Sequence, residues 1–272
     1  MTQWQNKKNM NKQLLYQDKK IHYRVIGNGQ PVFLLHGFGE DGEIFNLQVA
    51  HLKRKFQLIV PDLPGSGQSE MISDMSIEGM AKVINEIIKK EKIETCPVIG
   101  HSMGGYITLA LVENYRKHIS AFGLFHSSAY ADSEEKIAGR KKAIDFIKQN
   151  GAYEFLKTAI PNLFADESKE KLKTTIQELI EQGQNFSTQS LVSYYEAMIQ
   201  RPDRKEILKK ATIPVLFIMG KHDNAVPVKD MLEQSHLPKK SYIHMLQQSG
   251  HMGMLEETNK CNQMLEQFLL EI

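Results

Sequence analysis

Three polar side chains of this sequence sit in short, glycine-bearing stretches. Ser102 lies in Gly100-His101-Ser102-Met103-Gly104-Gly105, Asp223 in Gly220-Lys221-His222-Asp223, and His251 in Ser249-Gly250-His251-Met252. A serine hydroxyl is a weak nucleophile until a base takes its proton, and an imidazole base needs a carboxylate to fix its tautomer. Serine, acid and histidine in that chain order form a unit suited to attack on a carbonyl. Glycines two residues to either side of Ser102 are what a sharp strand-to-helix turn requires if the hydroxyl is to stand clear of the backbone.

A fourth stretch, His36-Gly37-Phe38-Gly39-Glu40-Asp41-Gly42, admits two readings. Gly37, Gly39 and Gly42 spell G-x-G-x-x-G behind an apolar run, with Asp62 placed 20 residues beyond Gly42, the layout of a loop that holds a dinucleotide pyrophosphate. His36-Gly37-Phe38-Gly39 equally suits a loop that turns backbone N–H groups toward an anion formed only during reaction. The dinucleotide reading leaves Ser102, Asp223 and His251 without a role, so the second reading is preferred.

These residues need elements to hold them. Short apolar, β-rich runs at 14–17, 21–26, 32–35, 58–60, 97–99, 122–125, 215–219 and 242–246 predict about eight strands. Several are continuous rather than alternating, as in a mostly parallel sheet covered by helices on both faces. Ile77, Met80, Ala81, Ile84, Ile87 and Ile88 keep one face of a helix, and Met264, Leu265, Phe268 and Leu269 one face of the last. Sheet signals stop after Phe125 and resume at Ile213. Between them, Leu172, Ile176, Leu179 and Ile180 form one helical stripe, and Leu191, Tyr194, Tyr195 and Met198 another. The chain is therefore divided into a core of residues 1–126 and 212–272 and a helical cap of 127–211 inserted after the sixth strand. Residues 1 to about 11 read as a loose tail, with Met10 a candidate second start. Tyr153, Phe155, Phe164, Tyr194 and Tyr195 are the cap's candidates for lining a pocket.

With these pieces in place the sequence resembles the α/β-hydrolase fold over nearly its whole length. The resemblance rests on HGFG (36–39), Asp62-Leu63-Pro64-Gly65-Ser66-Gly67-Gln68-Ser69, GHSMGG (100–105), GKHD (220–223) and SGHM (249–252), five motifs in order. It implies a nucleophile at Ser102, an acid at Asp223, a base at His251, and an oxyanion hole made by the backbone N–H groups of Phe38 and Met103. It also implies no cofactor and no metal. Asp132, after the sixth strand, is an alternative acid. His36 and His101 are assigned structural roles beside the site, and His222 is assigned to a loop.

A serine at position 102, where some members of the fold carry an aspartate, calls for a carbonyl substrate. The function expected is hydrolysis of a carboxylic ester or lactone through an acyl-enzyme. A carbon–carbon bond hydrolase or perhydrolase would use the same triad. From another class, HGFGEDG is similar to the loop of ligand-sensing relatives that keep a slow triad.

Composition narrows the partners. With 34 basic and 32 acidic residues spread along the chain, the net charge of +2 gives no stripe for nucleic acid, and no run of 18 apolar residues predicts a membrane span. Cys96 and Cys261 are far apart, which argues against a disulfide framework or a structural zinc site and suits a cytoplasmic setting. A small-molecule substrate and a monomer or small homo-oligomer are expected.

Overall fold

The structure, a computed structural model, describes residues 10–272. Eight strands form one sheet: β1 (Met10–Tyr16), β2 (Lys19–Gly27), β3 (Gln30–Leu35), β4 (Phe56–Pro61), β5 (Cys96–His101), β6 (Ile119–Phe125), β7 (Val215–Gly220) and β8 (Ser241–Leu246). Their order across the sheet is β1-β2-β4-β3-β5-β6-β7-β8. The β1–β2 and β2–β4 pairs are antiparallel and the rest parallel. All eight expected strands are present. Met10 and Asn11 correct the expected tail: they pair with Val25 and Arg24 and belong to the sheet. Residues 1–9 of that tail lie outside the described residues.

Strands β4, β5 and β7 are buried at every position, which is why their sequences run apolar without alternation. At the edge, β1 alternates between partly buried and exposed positions. Twelve α-helices complete the described chain. In the first part of the core these are α1 (Asn46–Leu52), α2 (Ile77–Lys90) and α3 (Met103–Tyr115). Between β6 and β7 come α4 (Glu134–Asn150), α5 (Ala152–Ala159), α6 (Asp166–Lys171), α7 (Lys173–Gln182), α8 (Thr188–Gln200) and α9 (Lys205–Lys209). After β7 follow α10 (Val228–Ser235), α11 (Gly253–Glu256) and α12 (Thr258–Glu271).

Side-chain oxygens set several helix starts. Ser76, Ser133 and Ser187 each accept a backbone N–H in the first turn of α2, α4 and α8. Helix α3 is apolar all round and buried from Met103 through Val112, so its position under the sheet is fixed on every side. The long α4 carried no clear stripe in the sequence, and only Ile144 and Ile147 of it are buried.

The segment between β6 and β7 is fastened to the loops and helices around the sheet by specific contacts. The buried Tyr194 hydroxyl donates to Pro64 O at 2.6 Å and accepts from Ser66 Oγ at 2.7 Å. Arg204 bonds Glu113 on α3 and Glu78 on α2. The ring of Phe38, in the loop after β3, stacks on Tyr195 with centroids 4.3 Å apart. Among the described residues no helix is long and apolar enough to cross a membrane.

Tyr194 was a pocket candidate, but its ring is fully buried and its hydroxyl is committed to the loop after β4. Tyr194→Ala should therefore cost about 3–5 kcal/mol of unfolding free energy, measured by urea denaturation. A loss below about 1 kcal/mol would show that the insertion is not anchored there.

Candidate active site

Parallel register brings the carboxyl ends of β3, β5, β6, β7 and β8 side by side, and the loops that leave them carry Phe38, Ser102, His126, Asp223 and His251 in turn. Such an edge is where open α/β sheets form sites. Ser102 has φ +50° and ψ −116°, a conformation that side chains rarely adopt, between the last residue of β5 and the first of α3. The turn is so tight that a Cβ on Gly100 would come within 2.1 Å of Gly104 O, and one on Gly104 within 2.2 Å of Leu35 O. Both contacts are with backbone, so neither position tolerates a side chain. Hydrogen bonds hold the strained residue: Ser102 N–H donates to Phe125 O at 2.9 Å, and Ser127 Oγ donates to Ser102 O at 2.7 Å. Met103 opens α3, so its N–H has no acceptor within the helix. The other expected oxyanion residue, Phe38, lines the same cavity as Ser102.

Asp223 gathers two imidazoles and two backbone N–H groups. Its Oδ1 accepts the N–H groups of Ala225 and Val226, each at 2.9 Å, which orients the carboxylate. Its Oδ2 lies 2.8 Å from His251 Nδ1 and 3.1 Å from His126 Nδ1. Burial alone would raise the Asp223 pKa, but the two imidazoles outweigh it and hold the carboxyl far below its usual range. For His251, burial opposes the charged ring and the Asp223 carboxylate reverses that, leaving its pKa above the ordinary histidine value. For His126 burial prevails, and its pKa falls to about 4. Its Nε2 accepts Gly253 N–H at 3.2 Å, so the neutral ring carries its proton on Nδ1, toward Asp223. Ligand atoms of His126, Asp223 and His251 lie within 4.8 Å of one another, close enough to hold a metal ion, yet this hydrogen-bond pattern accounts for all three.

A second buried pair ties the loops together. Glu40 Oε2 accepts Gly37 N–H at 2.6 Å and faces His101 Nδ1 at 3.0 Å. His101 Nε2 faces the His251 carbonyl at 3.0 Å. Both partners of the ring are acceptors, so it satisfies them only with a proton on each nitrogen. Burial would raise the Glu40 pKa, and His101 together with the Gly37 N–H overrides it, so the carboxyl stays below its usual range. The result is a charged bridge from the loop after β3 to the backbone of His251.

Of the residues singled out in the sequence, Ser102 and His251 line one cavity of about 120 Å³, and Asp223 stands behind His251. Asp132 is not the carboxylate on His251: its oxygens bond Arg140 and Arg201. His36 Nε2 accepts Leu63 N–H at 2.9 Å and so joins two loops, and His222 is exposed. Asp62, the acid that a dinucleotide would need, is consumed by Gly42 N–H, Gln68 N–H and His22. Among the pocket candidates Tyr195 lines the cavity, whereas Phe164 and Tyr194 are buried in packing and Phe155 stands edge-on to Phe38. The sequence alone does not single out Glu40, His126 or Arg140. They lie far apart in sequence, and only the Glu in the glycine-rich stretch stood near a recognised motif.

A family profile described as the alpha/beta hydrolase fold matches residues 30–258, and the chain belongs to that family. Among curated relatives, the pimeloyl-[acyl-carrier protein] methyl ester esterase of Vibrio vulnificus (strain CMCP6) is 25% identical over 252 residues, covering 90% of this chain and 96% of the relative. The 3-oxoadipate enol-lactonase 1 of Acinetobacter baylyi is 24% identical over 262 residues, covering 94% and 95%. Among solved structures, a thermophilic esterase from Thermogutta terrifontis superposes with a TM-score of 0.90 at 23% identity, covering 96% of this chain and 98% of its own. The enol-lactonase from Burkholderia xenovorans LB400 gives a TM-score of 0.88 at 21% identity, covering 95% and 100%.

Removing one partner of a buried ion pair leaves the other uncompensated. Glu40→Ala should therefore lower the unfolding free energy by about 3–5 kcal/mol in a denaturant titration. A change under about 1 kcal/mol would contradict a charged Glu40–His101 bridge.

Proposed function

We propose that this ester-bond hydrolase of the α/β-hydrolase fold cleaves a carboxylic ester or lactone of small to medium size through an acyl-enzyme on Ser102. The observation that carries this reading is the shared cavity of Ser102 and His251, with His251 Nδ1 2.8 Å from Asp223. Asp223 accepts a hydrogen bond from Nδ1–H, so the tautomer it selects leaves Nε2 as the free base.

Ser102 Oγ adds to the carbonyl carbon while His251 Nε2 takes its proton. The carbonyl oxygen becomes an oxyanion, held by the N–H groups of Phe38 and Met103 at the amino end of α3, where the helix dipole also favours negative charge. When the tetrahedral adduct collapses, the carbon–alkoxy bond breaks and the alkoxide leaves with the proton from His251. Water then repeats the sequence on the acyl-enzyme: His251 takes its proton, the carboxylic product departs, and Ser102 regains its hydrogen. Asp223 stays ionised throughout and stabilises the imidazolium. The neutral His126 donates to the same oxygen and fixes the carboxylate without competing for the proton.

Residues 127–211 act as a cap over this chemistry. A second cavity, about 80 Å³ and mostly apolar, shares Phe38, Glu40, Leu163 and Tyr195 with the one at Ser102. Together they suit an acyl chain of a few carbons. The methyl ester and enol-lactone in the names of the relatives agree with a compact substrate carbonyl. The two cysteines are buried and unpaired, in keeping with a cytoplasmic setting.

Two kinetic outcomes follow. Ser102→Ala should lower kcat on a small methyl ester by about a million-fold with the fold intact by circular dichroism; activity within tenfold of wild type would defeat the assignment. Because the His251 pKa is raised, the ring becomes a free base only at higher pH, so kcat/KM should climb through an inflection above about 6.5. Asp223→Asn should lower both the rate and that inflection. An inflection that stays put in Asp223→Asn would mean that Asp223 does not set the state of the base.

A further inference from the structure

Arg140, on α4, lines the cavity that contains Ser102. Its Nε donates to Asp132 Oδ2 at 2.6 Å and its Nη2 to Asp132 Oδ1 at 3.3 Å, so one edge of the guanidinium is committed. Among the described residues, its Nη1 has no hydrogen-bond acceptor. Arg201 donates to the same Asp132 at 2.9 Å and lies over the Tyr106 ring, 3.8 Å from its centroid.

One carboxylate thus serves two guanidiniums. The Asp132 side chain is fully buried, that of Arg201 is 4% exposed and that of Arg140 19%. This end of the cavity carries one positive charge more than its paired carboxylate cancels. Glu40 lines the same cavity, but its carboxylate is already held by His101 and Gly37 N–H. The other walls of this cavity, Tyr106, Tyr195, Met198 and Val226 among them, supply no anion. Burial of the Tyr195 phenol pushes its pKa to about 12, so it stays neutral at working pH. A largely desolvated cation without a full complement of acceptors favours an anionic ligand group.

We propose that Arg140 binds an anionic oxygen of the substrate, so that the preferred ester or lactone carries a carboxylate a few carbons from the bond that is cut. The inference rests on the acyl-enzyme reading above and names its substrate class. Asp132 and Arg201 position the guanidinium, with the Nε/Nη2 edge on Asp132 and the Nη1 end toward the ligand. The uncharged carbonyl end lies at Ser102, and the adjoining apolar cavity takes neutral substituents.

The test compares monomethyl esters of succinate, glutarate and adipate with methyl butanoate and methyl pentanoate, alongside a carboxymethyl ester that places the charge on the alcohol side. Wild type should show a higher kcat/KM for at least one charged ester than for its neutral counterparts, and the two charged series show which side of the scissile bond meets Arg140. In Arg140→Gln the charged-to-neutral ratio should fall by about thirtyfold, the scale of a charge-assisted contact, and Arg140→Lys should recover part of it. A wild type with no preference, or a ratio unchanged in Arg140→Gln, overturns the proposal. Calorimetry with glutarate and with its diamide on wild-type protein gives a readout free of turnover and of variant folding: glutarate should bind and the neutral diamide should not, and equal binding of the two overturns the proposal. Selective glutarate binding without hydrolysis of any ester would leave the Arg140 site standing and sink the acyl-enzyme reading instead.

Discussion

Backbone packed directly on backbone at Gly100 and Gly104 is the constraint from which the rest of the site follows. Each position lies so close to a carbonyl, 2.1 Å and 2.2 Å from where a Cβ would stand, that only glycine fits. This closeness lets β5 pass into α3 through a single residue with positive φ, and that residue is Ser102. Strain at one residue costs about 1–3 kcal/mol and persists only where its surroundings over-determine it. Here α3, apolar and buried from Met103 through Val112, on one side and the Phe125 and Ser127 hydrogen bonds on the other do so.

Around that turn, polarity is arranged as two closed circuits. In one, Asp223 takes two backbone N–H groups on one oxygen and two imidazoles on the other. In the other, Glu40 and His101 connect Gly37 to the His251 carbonyl. Buried polar groups are tolerable only when each member is satisfied, and a satisfied network is rigid. The circuits therefore link the loops after β3, β6, β7 and β8 and the end of β5 without any covalent tie. The same logic makes the Asp132 cluster conspicuous, because there two cations share one carboxylate and the closure is incomplete.

Much of this was legible in the sequence. Apolar runs located all eight strands, and those of β4, β5 and β7 are continuous because a strand buried on both faces has no polar positions to interrupt it. Glycine spacing located the turn at Ser102, and loops following strands located Asp223 and His251. What stayed hidden has a physical reason. Met10 and Asn11 sit on an exposed edge strand whose polar residues look like tail. Helix α4 buries two residues, too few to make a stripe. Glu40, His126 and Arg140 acquire their importance from neighbours 61, 97 and 8 residues away, and no local pattern records such pairings. The aromatic residues between β6 and β7 are ambiguous for the opposite reason: helices there need Phe and Tyr for their own packing as much as for a pocket, and of Tyr153, Phe155, Phe164, Tyr194 and Tyr195 only Tyr195 lines the cavity at Ser102.

The proposed acyl-enzyme requires an activated Ser102 hydroxyl, and a reagent that bonds irreversibly to such an oxygen tests it directly. Wild-type protein treated with an activated alkyl phosphonate, digested and analysed by mass spectrometry should carry one phosphonyl group on the peptide containing Ser102, with hydrolase activity lost in proportion to labelling. Complete labelling of another residue, or full activity retained after Ser102 is modified, would contradict the account.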